Sequence, residues 1–598
     1  MRTIAASSRL LFCSLSSLLI FVTLVKTQAS VTLPVFPAAT FPITNYGASS
    51  STTADNTSGI QQAIDACTAA GGGTVVIPSG TFLSGPITMK NNVNLQISSG
   101  ATLRLLPYGT GNGTPSGSYP NSGTTNDYTD FIYAKGASNI AVTGSGTIDG
   151  QGSAWWTAYK ANTAISRPCL IRFDRCSTLA VTGITLINAP NVHITIGKSS
   201  NNATLANLTI NSPSTSPNTD GIDTWAGNIN ITNCNITCGD DNIAMDSESQ
   251  NITVKHCTFG TGHGCSVGSY TTNVANILVD SCTFNGTTAG MRLKTARGRG
   301  GVETNITYSN ITMTGVTNPI YYTSYYPSVP SSPTADTAQA MTALTPQWQH
   351  ITLKNATITG SANAGTIWGL PEQSIVDVVF DNVQISAKTG MQINFATGVV
   401  FKNCSNITVT SGNAITSTHN STVTGIDFTT GKSSYVISTT ASPGKGGTVS
   451  GAGTFACGKS VSLTAAPASG YTFVNWTSGT TIISSKAAYT FNASETIALT
   501  ANFTFSTGLD DESTSSPSLL LFPNPSKDKC TVKLGSDYFG PVQLTLRDIL
   551  GNEVKNLIAT KSAFDVHVEI ETQELKSGTY LLNVKEGETN RVKMLVVQ

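Results

Sequence analysis

The residues of this chain best able to do chemistry fall in four short clusters: Asn218-Thr219-Asp220, Gly239-Asp240-Asp241, Gly262-His263-Gly264 and Arg292-Leu293-Lys294. Together they hold three carboxylates, one imidazole and two cations. Closely spaced carboxylates push each other's pKa values apart, so one holds a proton while another is ionised. Glycosidic bond cleavage needs that split: an acid for the leaving oxygen, and a base or nucleophile on the opposite face. Arg292 and Lys294 are alternate residues of a strand-like segment, so both can face one way and pair with a carboxylate on the substrate. That points to an acidic sugar. Taken singly, each cluster has a plainer reading: Asp-Asp is usually a turn, Gly-His-Gly a loop, and Arg-x-Lys says almost nothing. Three acids also suit calcium, but the neighbouring cations argue against it, and no metal or cofactor is expected.

The clusters matter together only if the fold brings them together, and an internal repeat does so. Asn202–Ile210, Asn228–Ile236, Asn251–Phe259, Asn276–Phe284, Asn305–Met313, His350–Ile358 and Asp377–Ile385 share one pattern. Position 4 is always large and apolar (Leu205, Ile231, Val254, Val279, Tyr308, Leu353, Phe380), and so is position 9. The step is two residues from position 7 to 9 and three from 4 to 7, which describes two short strands joined by a bend. Position 6, at the bend, is Asn in five of the seven units, with His256 and Ser281 as exceptions; Asn tolerates the left-handed conformation that a sharp bend needs. The four clearest units start 26, 23 and 25 residues apart. Such a period, in strands that cannot bury their own faces, predicts a solenoid, here an all-β parallel β-helix with coils about 4.8 Å apart. On this register Asp240 and His263 both occupy position 13 of adjacent coils, and the other clusters lie near the same column. Cys234, Cys257 and Cys282, all at position 7, form an inward stack of small core residues.

Ends and flanks follow. Ile60, Ala63, Ile64 and Cys67 have helical spacing, with Ser58 as N-cap and Gly71-Gly72-Gly73 as a stop, predicting an N-terminal helix that caps the first coil. Arg2 and Arg9, the apolar run Leu10 to Val25 and Thr27-Gln28-Ala29 read as a signal peptide over residues 1–29; the run is short for a span of about 20 residues, and the mature protein is expected to have no transmembrane span. With 33 basic and 33 acidic residues the net charge is zero, which speaks against a nucleic-acid partner. A 39% hydrophobic content speaks against wholesale disorder. Of 12 cysteines Cys13 leaves with the signal, and the remaining spacings match neither a disulfide scaffold nor a zinc site. A β-rich module is expected over 434–505, with Trp476 a core residue rather than a sugar platform, then a linker over 506–518. The last 80 residues carry 20 charged side chains against 11% for the whole chain, marking a separate module over 519–598.

At its four clusters the chain closely resembles glycoside hydrolase family 28, the polygalacturonases. The family's Asn-Thr-Asp, Gly-Asp-Asp, Gly-His-Gly and Arg-Ile-Lys segments match in order, with Leu293 for Ile as the single change. The likeness runs from about Phe41, through Asp149-Gly150-Gln151-Gly152 and the structural pair Trp155-Trp156, to residue 430. It implies a right-handed, pectin-lyase-like β-helix over 30–430 that hydrolyses α-1,4-galacturonan with inversion. Asp240 would be the general acid, Asp220 and Asp241 would activate water, and His263 would tune the acid. Arg292 and Lys294 would grip galacturonate, with Asn218 and a tyrosine as further substrate contacts; spacing leaves Tyr325 and Tyr326 both open. A hydrolase of rhamnogalacturonan or xylogalacturonan is the alternative within the family. A pectate lyase would need calcium and a basic proton abstractor, and a carbohydrate-binding adhesin would not need the acids. Phe522-Pro523-Asn524-Pro525, Asp548-Ile549-Leu550-Gly551-Asn552 and Ser577-Gly578-Thr579-Tyr580 resemble a type IX secretion sorting domain. That resemblance implies export to the cell surface or exterior, with the secretion machinery as a partner; pectin or polygalacturonate is the expected partner of the hydrolase, which is expected to be a monomer.

Overall fold

The computed structural model describes residues 31–109, 118–122, 127–505, 518–563 and 565–598. The signal segment and all but one residue of the expected linker lie outside them. No helix among the described residues is long and apolar enough to cross a membrane. Two compact units emerge, one comprising residues up to 438 with 451–462 and 490–498, the other 439–450, 463–489 and 499–598.

The first unit is a parallel β-helix, and its core is the repeat. Leu205, Ile231, Val254, Val279, Tyr308, Leu353 and Phe380 pair rung to rung in one column, each 0% exposed. Ile210, Ile236, Phe259, Phe284, Met313, Ile358 and Ile385 form a second such column. Full burial of a side chain of this size contributes about 1.5–3 kcal/mol, and each also meets its equivalents above and below. All seven bend residues take positive φ, including the exceptions His256 and Ser281 at 54°. The first residue of every unit is left-handed as well, from Asn202 at 61° to Asp377 at 57°. Asparagine serves both bends and also bonds along the axis: Asn251 Nδ2 donates to Asn228 Oδ1 at 3.1 Å, and Asn276 Nδ2 to Asn251 Oδ1 at 2.9 Å. Cys234, Cys257 and Cys282 are at most 2% exposed and lie inside, as expected.

Each coil also has a third strand that the repeat does not announce. In the coil of Asn228 the strands are Gly227–Thr232, Asn235–Thr237 and Ile243–Met245. The third is three residues long and follows a connection of variable length. This third ladder carries the candidate site.

The capping helix α1 spans Thr57–Ala69 and buries Ile60, Ala63, Ile64 and Cys67. Its N-cap is Asn56 rather than Ser58, which lies inside the first turn; the free amide of Thr57 donates to Asp55 Oδ1 at 2.9 Å. Gly71, Gly72 and Gly73, at φ 90°, 118° and 149°, end it as anticipated. Trp155 is 0% exposed and packs edge-on against Tyr108, Tyr119 and Tyr128, a structural role. Within the last coil Cys404 is disulfide-bonded to Cys457, and nine other described cysteines are free and buried. In the second unit Trp476 is 0% exposed, its indole N–H donating to the Ala487 carbonyl at 3.3 Å, so it is a core residue. Residues 519–598 form a three-stranded and a four-stranded antiparallel sheet around a core that includes Val532, Leu544, Leu582 and Leu595.

Candidate active site

The third ladder stacks β1 (Ile194–Ile196), β2 (Ile222–Thr224), β3 (Ile243–Met245), β4 (Cys265–Val267), β5 (Ala289–Lys294) and β6 (Asn318–Thr323). Ile222 pairs with Ile243, Ile243 with Cys265, and Cys265 with Met291. Two residues ahead of each of the first three stand Asp220, Asp241 and His263, so these three are level. Counting from the coil starts had placed Asp240 level with His263. The count slips because six residues separate Ile236 from Ile243, but only five separate Phe259 from Cys265. Asp240 nevertheless leans toward the imidazole: His263 Nδ1 lies 2.9 Å from Asp240 Oδ1, although without the alignment of a hydrogen bond, and 4.0 Å from Asp241 Oδ1.

The backbone around His263 permits this crowding only with glycine. Gly264 has φ 80°, and a Cβ there would sit 2.2 Å from the Ala289 carbonyl; at Gly262, φ 135°, it would sit 2.6 Å from Asn242 Oδ1. Asn242, fully buried, clamps the loop by donating to the Ile236 and Thr261 carbonyls and accepting from the Gly264 amide at 2.8 Å.

Asp241 and Asp240 are built differently. The Asp241 side chain is 3% exposed; Oδ1 accepts from Arg292 and from the Ser266 hydroxyl, both at 2.7 Å, and Oδ2 accepts from Lys294 at 2.6 Å. Burial pushes its proton affinity up, but the charges of Lys294 and Arg292 and their hydrogen bonds outweigh it, so the carboxyl is held below the usual range. The Asp240 side chain is 25% exposed and carries no such pair. Its Oδ1 accepts from the Asp241 amide at 2.9 Å, and its Oδ2 from Asn218 Nδ2 at 3.4 Å. Asp220 is pushed well above the ordinary carboxylate range, first by burial and then by the charges of Asp223, Asp240 and Asp241. The three carboxylates thus occupy three distinct electrostatic settings. Donor atoms of Asp240, Asp241 and His263 lie within 4.8 Å of one another, but both Asp241 oxygens already accept from cations, which suits a metal ion poorly.

The two cations differ too. The Arg292 side chain keeps 16% of its surface, whereas that of Lys294 keeps 6%. Burial alone would pull the Lys294 ammonium down; the Asp241 charge outweighs it and holds the pKa above its usual value. Lys294, expected as a grip on substrate, donates to Asp241 here. The tyrosines also separate. Tyr325 donates its hydroxyl to Asp336 at 2.7 Å and lies beside Arg297, inside the loop that follows β6. The ring of Tyr326 is 5.1 Å from Lys294 Nζ and 6.0 Å from Arg292 Cζ, so of the two it is the one beside these cations.

Several supporting residues have no sequence signature. Arg167, 7% exposed, donates to the Pro190 and Pro217 carbonyls and to Asn218 Oδ1, fixing the loop that carries Asn218. His193 is fully buried below Asp220, with Nδ1 2.8 Å from the Asp220 carbonyl and Nε2 3.0 Å from Ser212 Oγ. Burial depresses it from 6.5 to about 4, so it is a neutral imidazole whose Nδ1–H donates. A depressed folded-state pKa contributes stability that is present above pH 6.5 and lost as the pH falls through about 4, amounting to about 3 kcal/mol. Wild type is therefore expected to unfold at a higher temperature than His193→Gln at pH 7, with the gap closing by pH 4; a constant gap would exclude this linkage.

Comparison with known proteins fits this geometry. Residues 67–434, more than half of the chain, match the family described as Glycosyl hydrolases family 28. Residues 437–507 match a Divergent InlB B-repeat domain, and 520–598 a Secretion system C-terminal sorting domain, which marks the chain for export to the surface or beyond. An endo-polygalacturonase of Pectobacterium carotovorum subsp. carotovorum is 32% identical over 376 residues, covering 57% of this chain and 87% of its own length. A polygalacturonase of Malus domestica is 31% identical over 304 residues, 48% of this chain and 63% of its own. The solved polygalacturonase from Erwinia carotovora ssp. carotovora superposes with a TM-score of 0.51 at 32% identity, covering 61% of this chain and 98% of that one. An exopolygalacturonase from Thermotoga maritima, TM-score 0.52 at 22% identity over 67% and 94% of the two chains, shares the fold. With its parallel β-helix, its wall of acids and this match, the chain belongs to family 28 of the glycosyl hydrolases.

Proposed function

We propose that the enzyme cleaves α-1,4-linked galacturonan by single displacement with inversion. The observation that carries this reading is the row Asp220, Asp240 and Asp241 on two adjacent coils, with the half-shielded Arg292 beside it. Asp240, whose side chain keeps 25% of its surface, acts as general acid: its proton passes to the glycosidic oxygen as the bond from that oxygen to the anomeric carbon breaks. A water attacks the opposite face of that carbon and gives up its proton on the side of Asp220 and Asp241. Asp241, held ionised by its cations, keeps one carboxylate charged on the water's side of the reaction. His263 stands beside the acid, its Nδ1 2.9 Å from Asp240 Oδ1. Arg292, Tyr326 and Asn218 face the sugar; Lys294 acts through Asp241.

The same reading takes the chain as a signal segment over 1–29, the hydrolase over 30–430, a β-rich module over 434–505, a linker over 506–518 and the sorting domain over 519–598. Its test is product analysis on de-esterified polygalacturonate, with the anomer formed first followed by NMR. Saturated galacturonate oligomers of inverted configuration are expected. Unsaturated, ultraviolet-absorbing products would make the enzyme a lyase, and cleavage confined to rhamnogalacturonan or xylogalacturonan would move the substrate to a substituted pectin.

A further inference from the structure

Shortly after Lys294 the chain places another cation, Arg297, that the mechanism above does not use. Its guanidinium joins three coils. Nε donates to Glu372 Oε1 at 2.6 Å and Nη2 to Glu372 Oε2 at 2.8 Å, so this pair is bidentate. Nη2 also lies 2.7 Å from Asp336 Oδ2, the oxygen that accepts from the Tyr325 hydroxyl at 2.7 Å. Arg297 follows β5, whereas Tyr325 and Asp336 follow β6. Glu372 follows the next rung of the ladder, where Thr323 pairs with Trp368. Only a planar guanidinium fork can meet two carboxylates in fixed directions at once; an ammonium cannot.

This clamp holds a long loop. Residues 327–346 connect β6 to the strand Gln347–Trp368 with no strand or helix of their own, and connections longer than about 12–15 residues of that kind are uncommon and usually functional. Apolar burial does little to fix the loop, since Met341 and Leu344 are 48% and 42% exposed. Its moorings are the segment around Arg297. The Tyr326 amide donates to the Thr295 carbonyl at 2.8 Å, and the Leu344 carbonyl accepts from the amides of Gly298 and Gly300, each at 3.1 Å. Between those two ends, Arg297 supplies the side-chain anchor at Asp336. Tyr325 is bridged to Ala296 through the backbone, and its ring lies 5.6 Å from Arg297 Cζ. Successive side chains of an extended segment point opposite ways. With Tyr325 turned into the clamp, Tyr326 is turned toward Lys294 and Arg292.

We propose that Arg297 is a positioning residue: by holding Asp336 and Glu372 it locks Tyr325 and so sets the Tyr326 ring at the site. The proposal rests on the reading above that Tyr326 faces the sugar. It is tested on the intact protein as wild type, Arg297→Gln, Arg297→Lys, Tyr326→Ala and Arg297→Gln/Tyr326→Ala, by kcat and KM on de-esterified polygalacturonate and by amide hydrogen exchange across Tyr325 and Tyr326. Asp336→Ala is the second route to the same end, because Arg297 keeps Glu372 and no buried carboxylate is stranded if Arg297→Gln fails to fold. Arg297→Gln, Arg297→Lys and Asp336→Ala should each raise KM about tenfold, the size of one hydrogen-bonded contact, with kcat within about twofold. Exchange at the two tyrosine amides should quicken at least about tenfold, the equivalent of one lost anchor. Residues that act as a unit are not additive, so Arg297→Gln should raise KM no further once Tyr326 is alanine. Unchanged exchange, a full further rise in KM in the double variant, or wild-type behaviour of Arg297→Lys would overturn the positioning role. Wild-type enzyme inert on polygalacturonate, or Tyr326→Ala with unchanged KM, would instead overturn the reading that Tyr326 faces galacturonate; the positioning role then stands or falls on the exchange rates, which need no substrate.

Discussion

Asp240→Asn is expected to lower kcat on de-esterified polygalacturonate by about 10²–10⁴-fold, the usual contribution of a positioned general acid, with KM changed far less. Asparagine keeps the shape of the side chain and can still accept from the Asp241 amide, which now bonds Asp240 Oδ1 at 2.9 Å. It cannot deliver a proton to the leaving oxygen. Because the Asp240 side chain is 25% exposed and pairs with no lysine or arginine, its loss leaves no buried charge stranded. Thermal stability should therefore stay close to wild type, separating a chemical effect from a structural one. Activity near that of wild type would remove Asp240 from the mechanism.

The second large effect is expected at Lys294, and it differs in kind. Lys294→Met leaves Asp241 buried at 3% exposure with one of its two cations gone. Breaking a buried pair in this way costs about 3–5 kcal/mol, which should appear as a lower denaturant midpoint. It also changes the charge state of a carboxyl on the water side of the reaction. Turnover should fall severely and by similar factors on polygalacturonate and on methyl-esterified pectin, because on the proposed mechanism the damage lies in a carboxyl that serves the attacking water. Arg292→Gln should behave otherwise. Arg292 keeps part of its surface toward the groove and should lose about 10- to 100-fold more on the de-esterified substrate, the worth of roughly 1.5–3 kcal/mol in one hydrogen bond to a charged group. A Lys294→Met enzyme that is stable and impaired only on polygalacturonate would return Lys294 to the role of a direct carboxylate grip.

These two predictions rest on parts of the molecule that were legible in the amino-acid order to very different degrees. The two columns of core residues, from Leu205 to Phe380 and from Ile210 to Ile385, could be written down in advance, because strand alternation and left-handed asparagines are properties of a few consecutive residues. The helix ending at Gly71 and the burial of Cys234, Cys257 and Cys282 follow from the same local rules. The four clusters of acids, imidazole and cations were equally visible, since each cluster is contiguous and the coil period returns it to one wall. What only the tertiary structure decided is how those groups divide the work. The third ladder has short strands after connections of unequal length, so one added residue before Ile243 sets Asp241, not Asp240, level with His263. Lys294 was separated from Arg292 by burial, and Tyr326 from Tyr325 by the hydrogen bond that the Tyr325 hydroxyl donates to Asp336. His193, Ser266 and Arg167 reach the site across 25 to 51 residues of sequence. Their positions depend on which side chains meet through space at the coil spacing, and no local pattern along the chain encodes that.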